Sequence, residues 1–190
     1  MKKPNIFVIS GPGGVGKTTL IKELFCKKSI QESFMKAITV TTRQRRPQEV
    51  EGKDYFFVEK EEFLRLKKRK FFLENEKVLD DYYGTPNLFY KLAKAKNKGL
   101  VLCIDVKGGM HLKKNCKVAK VISIFVEAPN KQELYKRMKK RAESKEMMKK
   151  RVELAKKELQ FSKYYDYVIL NKSIKTTVQK LKEILITHQQ

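Results

Sequence analysis

The residues whose chemistry is clearest form a glycine-rich loop near the start of the chain. The segment from Gly11 to Thr18 fits the phosphate-binding pattern G-x-x-x-x-G-K-[ST] and directly follows the apolar run Ile6 to Ile9. A buried strand that ends in such a loop and continues into a helix can aim backbone N–H groups and a helix N-terminus at a phosphate. Lys17 is expected to reach the β- and γ-phosphates of a nucleoside triphosphate, and the Thr18 hydroxyl is expected to bind Mg²⁺.

This loop is one continuous candidate site for the triphosphate. A helix is predicted to open at Thr19, because Leu20 and Leu24 recur after it at helical spacing. The alternative is an ordinary glycine-rich turn, which the joint presence of strand, loop and helix disfavours. The candidate triphosphate-binding residues are Gly11, Pro12, Gly13, Gly14, Val15, Gly16, Lys17, Thr18 and Thr19.

Length and cysteine content limit the class of protein. A chain of 190 residues suits one compact domain, and its apolar runs are too short to span a membrane or to form a signal peptide. The cysteines number 3 and include no C-x-x-C pair, which indicates reduced thiols. We therefore expect a cytoplasmic protein with no membrane partner, either a monomer or a dimer.

The chain is strongly basic, with 44 lysines and arginines against 21 acidic residues and a net charge of +23. One interpretation is a nucleic-acid-binding protein with basic stretches at Arg65 to Lys70 and Lys136 to Arg141. The other is a set of lysine-rich helix faces in contact with water, which the scattered lysines and the absence of a nucleic-acid motif favour. We expect no nucleic-acid partner, and the charge would speed encounters with anionic nucleotides.

The apolar pattern predicts the fold class. The predicted buried strands are Ile6 to Ile9, Leu100 to Ile104, Val121 to Val126 and Tyr167 to Leu170. Such runs, separated by helices, predict a parallel sheet covered by helices on both faces, an α/β fold like that of P-loop nucleoside triphosphatases.

Two segments interrupt this order and divide the single domain of residues 1–190. Residues 38–89 are predicted to form an inserted mixed α/β lobe, with short β-like pieces at Lys36 to Thr42 and Tyr55 to Val58. Residues 130–160 are helical in pattern and very basic, which indicates a lid. The core then comprises residues 1–37, 90–129 and 161–190.

The inserted lobe also carries a series of motifs. They are Thr41-Thr42-Arg43-Gln44-Arg45-Arg46-Pro47, Glu49-Val50-Glu51-Gly52-Lys53-Asp54-Tyr55-Phe56-Phe57-Val58, Phe72-Leu73-Glu74 and Tyr82-Tyr83-Gly84-Thr85. In order and spacing they strongly resemble guanylate kinase, and the resemblance extends from the phosphate-binding loop to the stretch Tyr165 to Asn171. It implies an enzyme that uses ATP and Mg²⁺ to phosphorylate GMP, and also dGMP, in purine nucleotide metabolism.

The resemblance also implies which residues bind the acceptor. For the acceptor phosphate they are Arg43, Arg46, Tyr55 and Tyr83, and for guanine they are Thr39, Glu74, Thr85 and Asp105. These types suit the task, because guanidinium forks match phosphate geometry and a carboxylate accepts from the N1–H and amine of guanine. A base without those donors would leave Glu74 buried and unpaired, at a cost of about 1–3 kcal/mol per missed group.

Phosphoryl transfer requires positive charge around the migrating group rather than a protein nucleophile. The catalytic residues implied by the resemblance are Lys17, Arg46, Arg137, Arg141 and Arg151. Arg137 and Arg141 are four residues apart and would share one helical face. Asn171 matches a family residue near the adenine, although a plain turn at a strand end explains it equally well.

The chain departs from the family pattern at Cys103-Ile104-Asp105, where the family usually has D-I-D. The first carboxylate is missing, and a cysteine cannot supply a hard oxygen ligand to Mg²⁺. This change is expected to affect the rate rather than the reaction.

Two alternatives retain the fold but change the function. A catalytically silent scaffold is disfavoured by the intact Lys17 and Thr18, and a kinase for a phosphorylated sugar is disfavoured by Thr39, Glu74 and Tyr83. The expected partners are therefore the small molecules ATP and GMP or dGMP.

Overall fold

The computed structural model describes residues 3–139 and 144–189. The strands are β1 (Ile6–Ser10), β2 (Phe34–Lys36), β3 (Thr39–Thr41), β4 (Tyr55–Phe57), β5 (Phe72–Val78), β6 (Asp81–Pro86), β7 (Gly99–Cys103), β8 (Val121–Glu127) and β9 (Tyr167–Leu170). The helices are α1 (Lys17–Phe25), α2 (Lys28–Ser33), α3 (Lys60–Lys68), α4 (Asn87–Ala95), α5 (Val106–Asn115), α6 (Lys131–Lys139), α7 (Lys145–Leu159) and α8 (Ile174–Thr187).

Five strands form a core sheet in the order β2-β7-β1-β8-β9, and every pair in it is parallel. Successive residues of β1 face opposite sides, so Phe7 and Ile9 pack with α1, α6 and α8 while Ile6 and Val8 pack with α4 and α5. Burial on both faces explains why the strand is apolar throughout. The prediction of an α/β fold with a helix-covered parallel sheet is confirmed.

A second sheet, in the order β4-β3-β6-β5, forms a smaller lobe. Its core is aromatic: Phe63 of α3 stacks on Phe72 with ring centroids 4.7 Å apart, and it contacts the tilted ring of Tyr82 at 5.4 Å. Lys22 of α1 forms a 3.0 Å ion pair with Asp54, so the lobe is tied to the core beside the phosphate-binding loop.

Several element boundaries differ from those that the sequence predicts. The β-like piece from Lys36 to Thr42 is divided, because β2 pairs with β7 in the core sheet while β3 belongs to the lobe. The predicted strand that ends at Ile104 runs instead from Gly99 to Cys103. The first helix begins at Lys17 rather than Thr19, since Gly16 takes a left-handed conformation (φ 102°) that ends the loop.

The segment predicted as a lid contains α6 and α7. The helix α7 begins where the Ser144 side chain accepts a 3.1 Å hydrogen bond from the Met147 backbone N–H, an N-terminal cap. The catalytic candidate Arg141 lies outside the described residues. Within residues 3–139 and 144–189, no helix has the length and apolar character needed to cross a membrane.

Candidate functional site

A cleft opens where β1 and β7 end, bounded by the lobe on one side and α7 on the other. Ligand sites in open parallel sheets lie at this edge, outside the carboxyl ends of the strands. The sequence-predicted residues that line the cleft are Pro12, Gly13, Gly14, Gly16, Lys17, Thr18, Thr39, Arg43, Arg46, Tyr55, Glu74, Tyr83, Asp105 and Arg151. The two predicted halves of the site therefore face one cavity.

Six other predicted residues lie outside this lining: Gly11, Val15, Thr19, Thr85, Arg137 and Asn171. Asn171 is buried, and its amide donates a 2.8 Å hydrogen bond to the Val15 carbonyl while its own oxygen accepts from Thr177 at 3.0 Å. These contacts hold the phosphate-binding loop on the side that faces away from the cleft. They provide a structural reason for Asn171 without any contact to adenine.

The Lys17 ammonium lies over the loop that precedes it. Its Nζ donates to the carbonyl of Gly11 and, at 3.3 Å, to that of Pro12. The backbone at Gly16 leads directly into α1, so the N-terminus of this helix and the Lys17 charge point to the same part of the cleft. This arrangement is suited to an anion such as a phosphate.

The two described arginines of the predicted lid lie in different surroundings. Arg137 forms a 2.8 Å ion pair with Glu133 one turn away on α6, and its Nη1 lies 3.8 Å from where a Cβ on Gly16 would stand. Arg151 lines the cleft, and its Nε is buried without a hydrogen-bond partner among the described residues. A buried, unpartnered donor in a cleft is suited to bind an anionic ligand.

Arg43 and Arg46 stand in the loop that follows β3. Arg43 donates through Nη2 to both carboxylate oxygens of Glu49, at 2.8 and 2.9 Å, and its guanidinium lies 5.4 Å from the centre of the Tyr55 ring. Although burial opposes it, the Glu49 hydrogen bond holds the pKa of Arg43 above its ordinary value. The charge on this arginine is therefore permanent.

The two tyrosines bring phenol groups to the same side of the cleft. Burial raises the pKa of both Tyr55 and Tyr83, and the charge of Asp105 acts in the same direction. Both hydroxyls therefore stay protonated and can donate hydrogen bonds to an anion.

Glu74 lies at the innermost part of the lobe side and is only 3% exposed. It accepts a 2.6 Å hydrogen bond from the Thr85 hydroxyl across the β5–β6 pair. Burial raises the pKa of Glu74 to about 7, against the opposing effect of the Thr85 hydrogen bond. Thr85 thus contacts Glu74 without lining the cleft itself.

Gly108 of α5 makes room for that carboxylate. A Cβ at this position would stand 2.7 Å from Glu74 Oε2, closer than non-bonded atoms allow. Glycine inside a helix costs about 0.5–1 kcal/mol relative to alanine, so the position sacrifices helix stability for close packing against Glu74. The glycine pair in the α5 sequence is the signal that could have revealed this contact.

Asp105 and Cys103 form the floor of the cleft between the two halves. Burial raises the pKa of the Asp105 carboxyl while the nearby Lys17 lowers it, and burial likewise raises the pKa of the Cys103 thiol. The thiol is therefore neutral, and Asp105 is the carboxylate that this strand end contributes. The strand end thus has a thiol at the position where the family pattern usually has a first carboxylate.

Five acidic residues that line the cleft received no role from the sequence: Glu49, Glu76, Asp80, Asp81 and Glu158. Glu49 accepts hydrogen bonds from the Arg43 guanidinium and from the Arg46 backbone N–H. Glu158 faces the cleft from α7, where burial raises its pKa to about 7 although the charge of Lys17 lowers it. Glu158 shares a helical stripe with Arg151 and Leu154, a spacing that could have indicated it.

The donors present are consistent with a magnesium ion that is held partly by a nucleotide. Across residues 3–139 and 144–189, no group of three or more His, Cys, Asp or Glu side chains could hold a metal. Thr18 offers a hydroxyl in the cleft, next to the loop that would bind the phosphates. Mg²⁺ is usually bound by one or two protein oxygens together with substrate phosphates and waters, so this donor set fits.

Fold and site together define a nucleotide-binding α/β protein in which a phosphate-binding loop faces an inserted lobe. The Guanylate kinase family model matches residues 3–188. The chain therefore belongs to the guanylate kinase family.

Individual relatives agree with this assignment. The chain is 39% identical over 189 residues to a guanylate kinase of Caldanaerobacter subterraneus subsp. tengcongensis, covering 99% of this chain and 89% of the relative. It is 36% identical over 190 residues to that of Mycoplasmoides gallisepticum, covering 100% of this chain and 95% of the relative. A crystal structure of guanylate kinase from Anaplasma phagocytophilum superposes with a TM-score of 0.78 at 31% identity, covering 100% of this chain and 88% of that chain.

Proposed function

We propose that this protein transfers the γ-phosphoryl group of ATP to GMP, forming ADP and GDP. The observation that carries the proposal is a buried carboxylate, Glu74, in the same cleft as a phosphate-binding loop. Family membership supports the reaction, and the residues of the cleft supply the parts that it needs.

The acceptor would bind with its base toward Glu74 and its phosphate toward the lobe arginines. Guanine presents N1–H and an amine to a carboxylate, whereas adenine has an unprotonated N1 that Glu74 would repel. Thr39 and Asp105 line the same part of the cleft and would complete the hydrogen bonds to the base. A buried acceptor left unpaired costs about 1–3 kcal/mol, so each missing donor weakens a competing base by about ten- to a hundredfold.

Transfer itself would proceed in line. An oxygen of the GMP phosphate attacks the γ-phosphorus, and the bond from that phosphorus to the β–γ bridging oxygen breaks to release ADP. The attacking oxygen carries no proton at neutral pH, so the protein need not supply a general base. Lys17 and Arg151 would stabilise the charge on the migrating group, and Arg46 would do so from the acceptor side.

Thr18 would hold the magnesium ion of Mg·ATP, and such an ion neutralises charge on the β- and γ-phosphates. dGMP is proposed as a second acceptor, since the contacts assigned here involve the base and the phosphate rather than the 2′ position. Arg137 and Arg141 of the predicted lid are also proposed to stabilise the migrating group. Arg137 would have to leave its ion pair with Glu133 to do so.

A coupled assay of ADP release from Mg·ATP tests the proposal, with GMP, dGMP, AMP, CMP, UMP and no acceptor compared. We expect turnover with GMP and dGMP, and only background release with the other acceptors. Equal ADP release with and without GMP would mean that the protein is not a GMP kinase.

A further inference from the structure

Glu49 contacts both arginines of the lobe, but the proposed reaction assigns it no role. Its carboxylate accepts from Arg43 Nη2 at 2.8 and 2.9 Å, and from the backbone N–H of Arg46 at 3.0 Å. The guanidinium of Arg46 lies 3.5 Å from the same carboxylate. One acidic side chain therefore joins both arginines expected to bind the acceptor phosphate.

The loop that carries these residues lies outside the helices and strands, since residues 42–54 contain no helix and no named strand. Backbone hydrogen bonds, such as that from the Glu49 N–H to the Arg46 carbonyl at 3.0 Å, shape the loop. The placement of the two guanidinium groups depends in addition on side-chain contacts, of which those with Glu49 join both. Arginine has high side-chain entropy, and ordering it costs free energy on binding unless it is ordered beforehand. Glu49 supplies this order, because its side chain is only 16% exposed and that of Arg43 only 12%.

The contacts with Glu49 do not use up the arginine donors. A guanidinium has five N–H donors. Glu49 takes those of Arg43 Nη2, and the Gln44 carbonyl accepts one from Nη1 at 2.6 Å, which leaves the Nε–H and the second Nη1 hydrogen. Two aromatic rings also contact Arg43, with the ring centre of Tyr55 at 5.4 Å and that of Phe57 at 5.8 Å from the guanidinium carbon. Free donors and a fixed plane allow the same arginine to bind a phosphate while Glu49 remains bound.

We propose that Glu49 is a positioning residue that holds Arg43 and Arg46 together as a preformed clamp for the phosphate of a nucleoside monophosphate. This inference rests on the proposed function. Its effect is on acceptor binding, and it acts through the arginines rather than by touching the reacting atoms.

The same contacts allow an opposite hypothesis, in which Glu49 occupies the phosphate position and must be displaced. The two hypotheses predict opposite signs. If Glu49 positions the clamp, removing its charge weakens the binding of GMP. If Glu49 competes with phosphate, removing its charge strengthens the binding of GMP.

The test is Glu49→Gln, with Glu51→Gln as the matched control. Glu51 lies in the same loop and is exposed, and its carboxylate accepts from the Phe57 backbone N–H at 3.2 Å rather than from an arginine. Calorimetry would measure dissociation constants for GMP, guanosine and ATP, and steady-state kinetics would give KM for GMP and for ATP.

For Glu49→Gln we expect GMP to bind about tenfold more weakly, the scale of one lost charge-assisted hydrogen bond. Guanosine lacks the phosphate, so its affinity should not change, and neither should the KM for ATP. Glu49→Asp keeps the charge on a shorter side chain and should recover part of the GMP affinity. Glu51→Gln should match the wild type.

Tighter GMP binding by Glu49→Gln, or affinity equal to that of the wild type, would overturn the clamp. So would a parallel loss for GMP, guanosine and ATP together with a lower melting temperature, because that pattern describes a purely structural role. If Glu49→Gln does not fold, Glu49→Asp decides by the same comparison of GMP with guanosine. A wild-type protein that binds no GMP at all would instead overturn the proposed function.

Discussion

The core sheet and the lobe sheet offer different kinds of binding group. On the core side, β1 ends in a loop whose backbone and single lysine face the cleft, fixed from behind by Asn171. On the lobe side, β3, β5 and β6 present polar side chains whose positions depend on one another, such as Glu74 with Thr85. We therefore expect the core side to bind a phosphate, which all nucleotides share, and the lobe side to select one particular acceptor.

This division predicts how variants should separate. A change on the core side should remove transfer to every acceptor, whereas a change on the lobe side should alter the acceptor while leaving ATP binding intact.

The largest effect is expected for Lys17→Ala. The variant loses the only cation that the phosphate-binding loop itself supplies, so transfer should fall by about a thousandfold or more, on the scale of removing a charge that stabilises the transition state. Rates of GDP formation with saturating GMP check this, and Lys28→Ala, an exposed lysine on α2, is the control. A Lys17→Ala enzyme with near wild-type rate would contradict the assignment of the core side.

Glu74→Ala should have the next largest effect. Loss of the carboxylate removes the partner of two guanine donors, so kcat/KM for GMP should fall by about a hundredfold and the preference over AMP should shrink. Affinity for ATP should stay unchanged, which separates this variant from Lys17→Ala. The exposed Glu61 on α3 offers a matched control, Glu61→Ala. Retained guanine selectivity would show that the base is read elsewhere.

The titration of Glu74 should have a smaller effect, which increases gradually as the pH falls. Burial raises its pKa to about 7, and guanine requires the ionised form, so affinity should fall by about tenfold for each pH unit below 7. Guanosine is the ligand to use, since a phosphate group itself gains a proton near pH 6. Glu74→Gln should bind guanosine weakly at every pH. A wild-type affinity that does not change between pH 8 and pH 5.5 would contradict the proposed contact.

The same shift has a consequence for stability. Burial raises the pKa of Glu74 from its ordinary value of 4.5 to about 7 in the folded protein. Between pH 4.5 and pH 7 the folded state therefore holds more protons than the unfolded state. The contribution of Glu74 to the free energy of unfolding therefore decreases as the pH rises from about 4.5 to about 7. Comparing the melting temperatures of wild type and Glu74→Gln across this range would show it as a difference that grows with pH.

The smallest effect is expected for Gly108→Ala. The added Cβ would press on Glu74 Oε2 and shift the carboxylate, so the affinity for GMP should fall by about five- to tenfold. Alanine should at the same time stabilise the helix by about 0.5–1 kcal/mol. A variant with equal or higher melting temperature and weaker GMP binding would support this. The neighbouring exposed position provides the control, Lys107→Ala. Unchanged GMP affinity would mean that Glu74 tolerates displacement.

The contrast between the two sheets also explains how much the sequence could predict. The core strands and the loop at Gly11 to Thr18 are clear because continuous apolar runs are buried on both faces. The strand β5 contains Glu74, Asn75, Glu76 and Lys77, so its polarity hides it from a search for apolar periodicity. The short strand β2 depends on pairing with β7, a tertiary contact that no local pattern contains.

For the site, sequence motifs could name residue types but not their partners. Arg137 and Arg151 are equally basic in the sequence, yet one contacts Glu133 and the other lines the cleft. Glu158 follows two lysines and resembles a residue on a helix face in water, although it is only 7% exposed. Its orientation is set by the packing of α7 against the core, which the spacing alone does not specify.

A competition between GMP and AMP in a single reaction tests guanine specificity without a comparison between separate assays. Terminally labelled Mg·ATP would be incubated with equal concentrations of GMP and AMP, and the labelled products would be separated. We expect the label to appear in GDP, with none in ADP formed from AMP. Label on both acceptors, or only in free phosphate, would contradict a guanine-specific kinase.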